Sequence, residues 1–401
     1  MKRETEKRSG SNEQIKRLFF ASLLAALEKR AFSDKERADF DPALLPSLYA
    51  LADSQDLAQM VGFPLKQSDL LPKNSPACKA FQKKEMLALF TTERMEYETR
   101  RCSGALEEAG ISFLPLKGAK LRRYYPEGYF RTSSDVDVLV RPEDCDRAVE
   151  VLCGLGYEKK ADTGHYDHKL VSRSGICLEL HYALMDGESL PSAAPFLKRV
   201  WEESLPAGES GLEREMPPEH FLTFHLIHMA KHFVLGGCGV RPFLDLYLLE
   251  QKMPYDKDAF SALLEETGLS AFYRACTVLC AVWLGGRPHD EWTCEMEDFL
   301  LAGGLFGSYE NEAAVEAGAE GKGKRRFRRV FFLPRKNLEL IYPNLKKRPL
   351  LYPLYQVRRW FGVFDPKRRA RLRAILRAGE GVTSEKASHT AALLAHLEIK
   401  K

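Results

Sequence analysis

A chain of 401 residues can bury at least one sizeable core, and its 45% hydrophobic and 29% charged residues exclude fibrous, collagen-like and wholly disordered classes. The formal net charge of +4 conceals an asymmetry: residues 321–401 carry 22 Lys and Arg against 5 Asp and Glu, which leaves 38 basic against 51 acidic residues elsewhere. Such a split implies either a polyanionic partner near the C-terminal part or docking of the basic part on the acidic part.

Nine cysteines occur without any C-x-x-C spacing, unlike a disulfide framework or a structural zinc site. Cys276 and Cys280 stand at helical spacing among apolar residues, as core thiols do. The polar stretch Met1–Arg17 leads into a mostly apolar run, Leu18–Leu27, which exits at Glu28-Lys29-Arg30 and not at small residues. That is unlike a signal peptide. No run approaches the roughly eighteen apolar residues that span a bilayer. The expected location is cytoplasmic.

In chain order, residues 12–110 read as helices, with apolar positions three and four apart at Leu18, Ala21, Leu24 and Ala25, and at Met86, Leu89 and Phe90. Asp34, Asp41, Pro42, Pro46, Pro64 and Pro72 are expected to cut this region into short pieces. It reads as a helical support without visible chemistry. From Gly110 the pattern changes. Residues 111–116 form a short apolar strand closed by Lys117-Gly118, with Pro115 implying an edge position or an early strand end. A short helix over 119–125 stops at Pro126 and Gly128. Asp135–Val140 is a second strand, and a helix starts at Pro142 with Glu143 and Asp144 at its positive end and runs to about Leu155. Residues 157–160 form a third strand, and 165–172 with 176–184 a hairpin around Ser174-Gly175. Past Pro217, helices are predicted over 218–235, 242–251, 256–268 and 269–284, followed by a loop at 318–323. The fold class is therefore α+β: a small mixed sheet with helices, set between N-terminal and C-terminal helical regions. The expected divisions are 1–109, 110–200, 201–320 and a basic 321–401.

Asp135 and Asp137 lie two apart on an otherwise apolar strand, so both side chains share one face. Glu179, between Leu178 and Leu180 in the hairpin, supplies a third carboxylate from a neighbouring strand. Three such acids suit a pair of divalent ions about 4 Å apart, the arrangement used to attack a phosphorus already ringed by negative oxygens. An acid-x-acid pair alone means little among 56 acidic residues. The apolar strand, the preceding glycine turn and the third acid raise it above a surface pair.

Leu116-Lys117-Gly118, Tyr125-Pro126, Arg131, Asp135-Val136-Asp137 and Glu179-Leu180-His181 resemble the family of uncharacterised bacterial nucleotidyltransferases, within the DNA polymerase β superfamily. The likeness is strongest over residues 113–184 and extends loosely through the histidine-rich helix and residues 241–245. It implies a polymerase β-like core in which Gly118 and the start of the next helix face a nucleoside triphosphate, as backbone N–H groups at a helix start suit phosphate. It also implies Asp135, Asp137 and Glu179 as catalytic, Mg²⁺- or Mn²⁺-binding residues. One departure is that the superfamily's Gly-Gly or Gly-Ser turn is here Lys117-Gly118-Ala119. Lys117 and Arg131 then either contact the nucleotide phosphates or pair with Asp135 or another acid. His181 shares the face of Glu179 and either ligates a metal, orients Glu179, relays a proton or is simply hydrogen-bonded.

His225, His228 and His232 form one helical stripe, with Asp245 in the next helix. They suit either a wall of the nucleotide or acceptor site, or a separate metal centre of a phosphohydrolase. His289-Asp290 reads as a loop. Arg241 and Asp245, four apart, are expected to pair. The basic segments 322–329 and 367–377, near Trp360 and Phe361, suit RNA, an anionic membrane surface, or a solvated helical face. The reaction expected is transfer of a nucleoside monophosphate from an NTP to an acceptor hydroxyl with release of pyrophosphate. The acceptor is open among RNA, protein and small molecules. The alternative is a non-catalytic nucleotide- or RNA-binding module of the same fold.

Overall fold

A computed structural model describes residues 2–160, 166–185, 190–305, 307–318, 332–342, 344–361 and 364–399. The N-terminal helices are α1 (Lys2–Leu27), α2 (Asp34–Ala38), α3 (Leu45–Ser54), α4 (Ala58–Gln67) and α5 (Pro76–Glu108). They correct the expectation of short pieces in two places. Pro64 sits inside α4 without ending it, and α5 runs unbroken for 33 residues. Pro76 occupies the first turn of α5, where its missing N–H costs nothing, and the Ser75 side chain accepts from the Cys78 N–H. Its buried residues Phe81, Ala88, Thr92, Met95, Glu98, Cys102 and Leu106 recur every three to seven positions, so one stripe is interred along the whole helix.

The αβ core follows: β1 (Phe113–Pro115), α6 (Gly118–Arg122), β2 (Asp135–Val140), α7 (Cys145–Gly154), β3 (Glu158–Lys159), β4 (Asp167–Val171) and β5 (Cys177–His181). Two short helices, α8 (Ala194–Lys198) and α9 (Val200–Glu203), precede β6 (Leu205–Ala207) and β7 (Glu213–Glu215). The seven strands form one mixed sheet ordered β3-β4-β5-β2-β1-β7-β6. β1 ends at Pro115 as expected, but it is an interior strand between β2 and β7. The proline is tolerated there because β7 registers with β1 at Phe113, two residues earlier.

Alternation in β2 decides what each face does. Val136, Val138 and Val140 pack with Met95, Cys102 and Leu106 of α5 and with Ala148 and Leu152 of α7. Asp135 and Asp137 are thereby turned to the opposite face. Glu98 of α5 pins the β4–β5 hairpin to this layer: its carboxylate accepts from the Tyr157 hydroxyl at 2.6 Å, the Ser174 hydroxyl at 2.7 Å and Arg101 Nη1 at 2.9 Å.

Helices α10 (Pro218–Val234), α11 (Arg241–Lys252), α12 (Lys257–Thr267) and α13 (Ser270–Gly285) lie within two residues of their predicted bounds. α14 (Glu291–Gly303), α15 (Tyr309–Gly318) and five further helices, Arg335–Ile341, Asn344–Lys347, Tyr352–Phe361, Pro366–Glu380 and Ser384–His396, complete the described chain. The N-terminal and central helices share one core: Phe20 of α1 stacks on Trp283 of α13 with ring centroids 4.6 Å apart. Most of the 318–323 loop, the basic segment 322–329 and His165 lie outside the described residues. Among the described residues, no single helix is long and apolar enough to cross a membrane.

Candidate active site

Parallel pairing of β2 with β5 sets Asp137 opposite Glu179 and Leu139 opposite His181, while antiparallel β4 sets Lys169 opposite Glu179 and Asp167 opposite His181. Because side chains alternate, Asp135, Asp137, Glu179, His181, Asp167 and Lys169 all emerge on one face of three adjacent strands. α10 closes the opposite side with Ile227, His228, Lys231 and His232, and Arg241 reaches in from the start of α11. The result is a cleft of about 430 Å³, the size of a small-molecule site. All seven residues singled out from the sequence line it: Lys117, Gly118, Arg131, Asp135, Asp137, Glu179 and His181.

The tightest group in the cleft is Asp137, Glu179 and His181, whose potential ligand atoms lie within 4.8 Å of one another. His181 Nε2 is 3.0 Å from Asp137 Oδ1 and 3.7 Å from Glu179 Oε2. Lys169 Nζ holds the other Glu179 oxygen at 2.8 Å, and Lys117 Nζ is 3.7 Å from Asp137 Oδ1. Asp135 stands at the mouth of the same face but outside the 4.8 Å group. Burial, with Asp137 and Glu179 as negative neighbours, pushes its carboxyl up to about 6. Asp137 is also buried, which opposes ionisation, yet Lys117 and His181 hold it below the usual carboxylate range. Burial, with Glu179 nearby, raises Asp167 as well, His181 acting against it. Of the five cations that line the cleft, Arg131 and Arg241 are taken by Asp245 and Asp56, so three lysines face its four carboxylates. A hard divalent cation fits such a donor set of two carboxylates and one imidazole, with Asp135 alongside. The buried His181 Nδ1 has no hydrogen-bond partner among the described residues.

The β1–α6 turn is strained where it meets these acids. Lys117 adopts φ +33° and ψ −94°, a region costly for a residue with a Cβ. Gly118 follows, and a Cβ added there would lie 3.2 Å from the Ser133 hydroxyl oxygen. The turn is thus held open by a glycine and bent so that the Lys117 ammonium points to Asp137.

Arg131 lines the cleft but is anchored behind it. Its Nε donates to Asp245 Oδ1 at 2.8 Å and to Oδ2 at 3.1 Å, and Nη1 donates to the Thr132 carbonyl. The Tyr125 hydroxyl donates to the same Asp245 oxygen at 2.7 Å. Asp245 therefore pairs with Arg131, and not with Arg241 four residues before it. Arg241 instead donates to Asp56 at 3.0 Å, together with the Thr132 carbonyl and hydroxyl oxygens. The reason is geometric: residues 241 and 245 open α11 against the core, where partners from other elements outcompete a neighbour on the same helix. Asp56 lies in the helical support that showed no chemistry in the sequence.

The histidine stripe divides. His225 Nε2 lies 2.9 Å from the Pro242 carbonyl, tying α10 to α11. His228 and His232 face the cleft with their Nε2 atoms 3.1 Å apart. Burial and the nearby Lys117 and Lys231 push both below the ordinary histidine range, His232 to about 4. A half-buried pair held below the ordinary histidine range and without carboxylate ligands is a wall, and neither histidine belongs to the Asp137 group. Asp290 of the His289-Asp290 dipeptide caps α14, accepting from the Thr293 N–H at 2.8 Å.

Sequence reasoning missed Tyr166, Asp167, Lys169, Lys231 and Asp56. Asp167 and Lys169 had a signal. Once β5 is paired with β4, the alternate positions 167 and 169 must share the face of Glu179 and His181. Lys231 then donates to the Tyr166 hydroxyl at 2.9 Å across the cleft, and the Tyr166 ring stacks on His181 at 6.0 Å.

Residues 42–285, more than half of the chain, match the family described as uncharacterised nucleotidyltransferase, and the chain belongs to that family. No curated protein matches the sequence. Among solved structures, the polyadenylate synthase of Megavirus is similar at 12% identity with a TM-score of 0.30, over 47% of this chain and 40% of that one.

Proposed function

We propose that the protein transfers a nucleoside monophosphate from an NTP to an acceptor hydroxyl, releasing pyrophosphate, in a reaction dependent on Mg²⁺ or Mn²⁺. The observation that carries this reading is the convergence of Asp137, Glu179 and His181, flanked by Asp135, beside the strained Lys117-Gly118 turn. Asp137, Glu179 and His181, with Asp135 alongside, would hold the divalent metal, which when bound supplies charge neutralisation at the phosphates and lowers the pKa of an acceptor hydroxyl.

The remaining steps belong to the chain's own side chains. Lys117 and Arg131 set positive charge beside the triphosphate, Arg131 through its field while its Nε stays on Asp245. Gly118 keeps the turn free of a side chain, so phosphate oxygens can approach the backbone. Glu179, with Lys169 on one oxygen and His181 near the other, is oriented to accept the proton of the acceptor hydroxyl. Leu184, Met185, Leu197, Phe224 and Ile227 give the cleft an apolar side that suits the flat body of a base or acceptor.

The test is pyrophosphate release measured with each NTP and Mg²⁺ or Mn²⁺, for the wild type and for Asp135→Ala/Asp137→Ala. A loss on the order of a thousandfold is expected. Equal release from both proteins removes the enzymatic reading and leaves a nucleotide-binding module.

A further inference from the structure

Beyond the cleft, the segment from residue 344 to 380 holds eleven Lys and Arg against two acids, Asp365 and Glu380. It also bears a run of exposed large apolar side chains: Leu350 is 92% exposed, Leu354 62%, Val357 41%, Phe361 64% and Phe364 78%. Leu350 and Phe364 flank the helix Tyr352–Phe361, and the spacing of Leu354, Val357 and Phe361 within it is that of one helical stripe, so the three occupy one face.

That face is not a core surface waiting to fold inward, because the opposite face is already used. The Tyr352 hydroxyl donates to the Leu333 carbonyl at 2.7 Å, Gln356 Nε2 donates to the same carbonyl at 2.5 Å, and the Tyr355 ring stacks on Tyr342 at 4.6 Å. The next helix, Pro366–Glu380, repeats the division. Leu372, Ile375 and Leu376 are half-buried on the side that packs against α15, while Arg369, Arg373 and Arg377, each four residues on, are exposed. An exposed apolar stripe is thus followed directly by an exposed arginine stripe, each carried on a helix anchored by its other side.

We propose that this C-terminal helical segment is a docking surface for an anionic phospholipid bilayer, with Leu350, Leu354, Val357, Phe361 and Phe364 entering the interface and Arg369, Arg373 and Arg377 meeting the headgroups. Charge and side-chain type select this occupant. A second copy would bring eleven further cations against the first eleven, with two acids on each side to offset them. RNA would satisfy the arginines, but Leu350, Leu354 and Val357 have no ring on which a base can stack and would stay in water. A bilayer surface takes both: hydrocarbon for the leucines and phenylalanines, and negative headgroups for the guanidinium groups. Two weak signals on one short segment make a reversible peripheral contact.

The test uses the full chain in co-sedimentation with vesicles of phosphatidylcholine alone or with phosphatidylglycerol. Binding to the anionic vesicles and not to the neutral ones is expected. Each basic side chain at such a surface strengthens binding about fivefold, so Arg369→Gln/Arg373→Gln/Arg377→Gln weakens it by about a hundredfold. Leu350→Ser/Leu354→Ser/Phe361→Ser weakens it by at least about tenfold. All six positions are exposed, and an unchanged circular-dichroism melting curve certifies that the variants fold. Failure to sediment with anionic vesicles overturns the proposal, as does full binding by the Leu350/Leu354/Phe361 variant. Two further outcomes also overturn it. One is a wild-type dimer that this variant makes monomeric without any lipid binding. The other is salt-sensitive retention on single-stranded RNA that needs the arginines but not the apolar stripe.

Discussion

Arg131 and Asp245 lie 114 residues apart and form a buried ion pair, with Nε of the first 2.8 Å from Oδ1 of the second. The pair joins the loop entering β2 to the first turn of α11, so the acidic strand and the helical wall of the cleft are fixed to each other through it. Tyr125 and the Thr132 carbonyl complete the hydrogen bonding on either side. Asp245→Ala leaves the Arg131 guanidinium buried without its counter-charge and is expected to destabilise the fold by about 3–5 kcal/mol. Urea unfolding of the variant measures this. A change within the error of the wild type would mean that the pair is solvated and does not brace the site.

The crowding of Asp135, Asp137, Glu179 and Asp167 predicts a second effect, in the absence of any substrate. A cation that binds the folded site and not the unfolded chain stabilises it by mass action, by about 2.7 kcal/mol at a hundred times its dissociation constant. Mg²⁺ or Mn²⁺ is therefore expected to raise the melting temperature in a saturable manner, and Asp137→Asn to abolish the rise. Equal rises in both proteins would assign the effect to general ionic strength.

Lys117 separates strain from charge. Both Lys117→Ala and Lys117→Gly remove the ammonium near Asp137 and are expected to raise the apparent NTP dissociation constant markedly. They differ in the backbone: alanine retains a Cβ at φ +33°, and glycine does not. The glycine variant is expected to be more stable than the alanine variant by about 1 kcal/mol, read as a difference in urea midpoint. Equal midpoints would show that the turn relaxes once the lysine is gone, and unchanged nucleotide binding would remove Lys117 from the phosphate site.

Much of this site was legible because strands write their faces into sequence with a period of two. Asp135 and Asp137 within a valine-rich run, and Glu179 and His181 between leucines, had to emerge together once β2 paired with β5. The helices α10 to α13 were legible for the same reason at a period near 3.6. What escaped depended on pairing partners that no local pattern encodes. Leu205–Ala207 and Glu213–Glu215 are three-residue strands without apolar alternation, and they exist because β1 offers an edge to extend. Pro64 looked like a breaker, yet it is buried within α4, where packing overrides propensity. Asp56 carried no signal, because its role is set by Arg241, 185 residues away.

His228 and His232 give the fold a pH dependence of definite sign. His232 has its pKa lowered from the ordinary 6.5 to about 4 by burial, Lys231 and Lys117; His228 is lowered by burial, Lys117 and His232. Between pH 4 and 6.5 these two histidines therefore bind more protons in the unfolded chain than in the folded one, and their contribution to stability is lost as pH falls through that window, while Asp135, pushed up to about 6, acts with the opposite sign there. The His232 contribution has an upper bound of roughly 3 kcal/mol. Buried acids such as Glu98 and Asp245, with lowered pKa values, act with the same sign but only below the ordinary carboxylate range near pH 4, so the two effects separate along the axis. In unfolding free energies measured at steps from pH 7 to 4, the wild type is expected to lose stability relative to His232→Asn, which cannot take up the proton and which leaves the carboxylate contributions common to both proteins. Parallel profiles for the two proteins would mean that His232 is solvated in the folded state and stays protonatable beside Lys231, in which case it could not serve as the uncharged wall of the cleft.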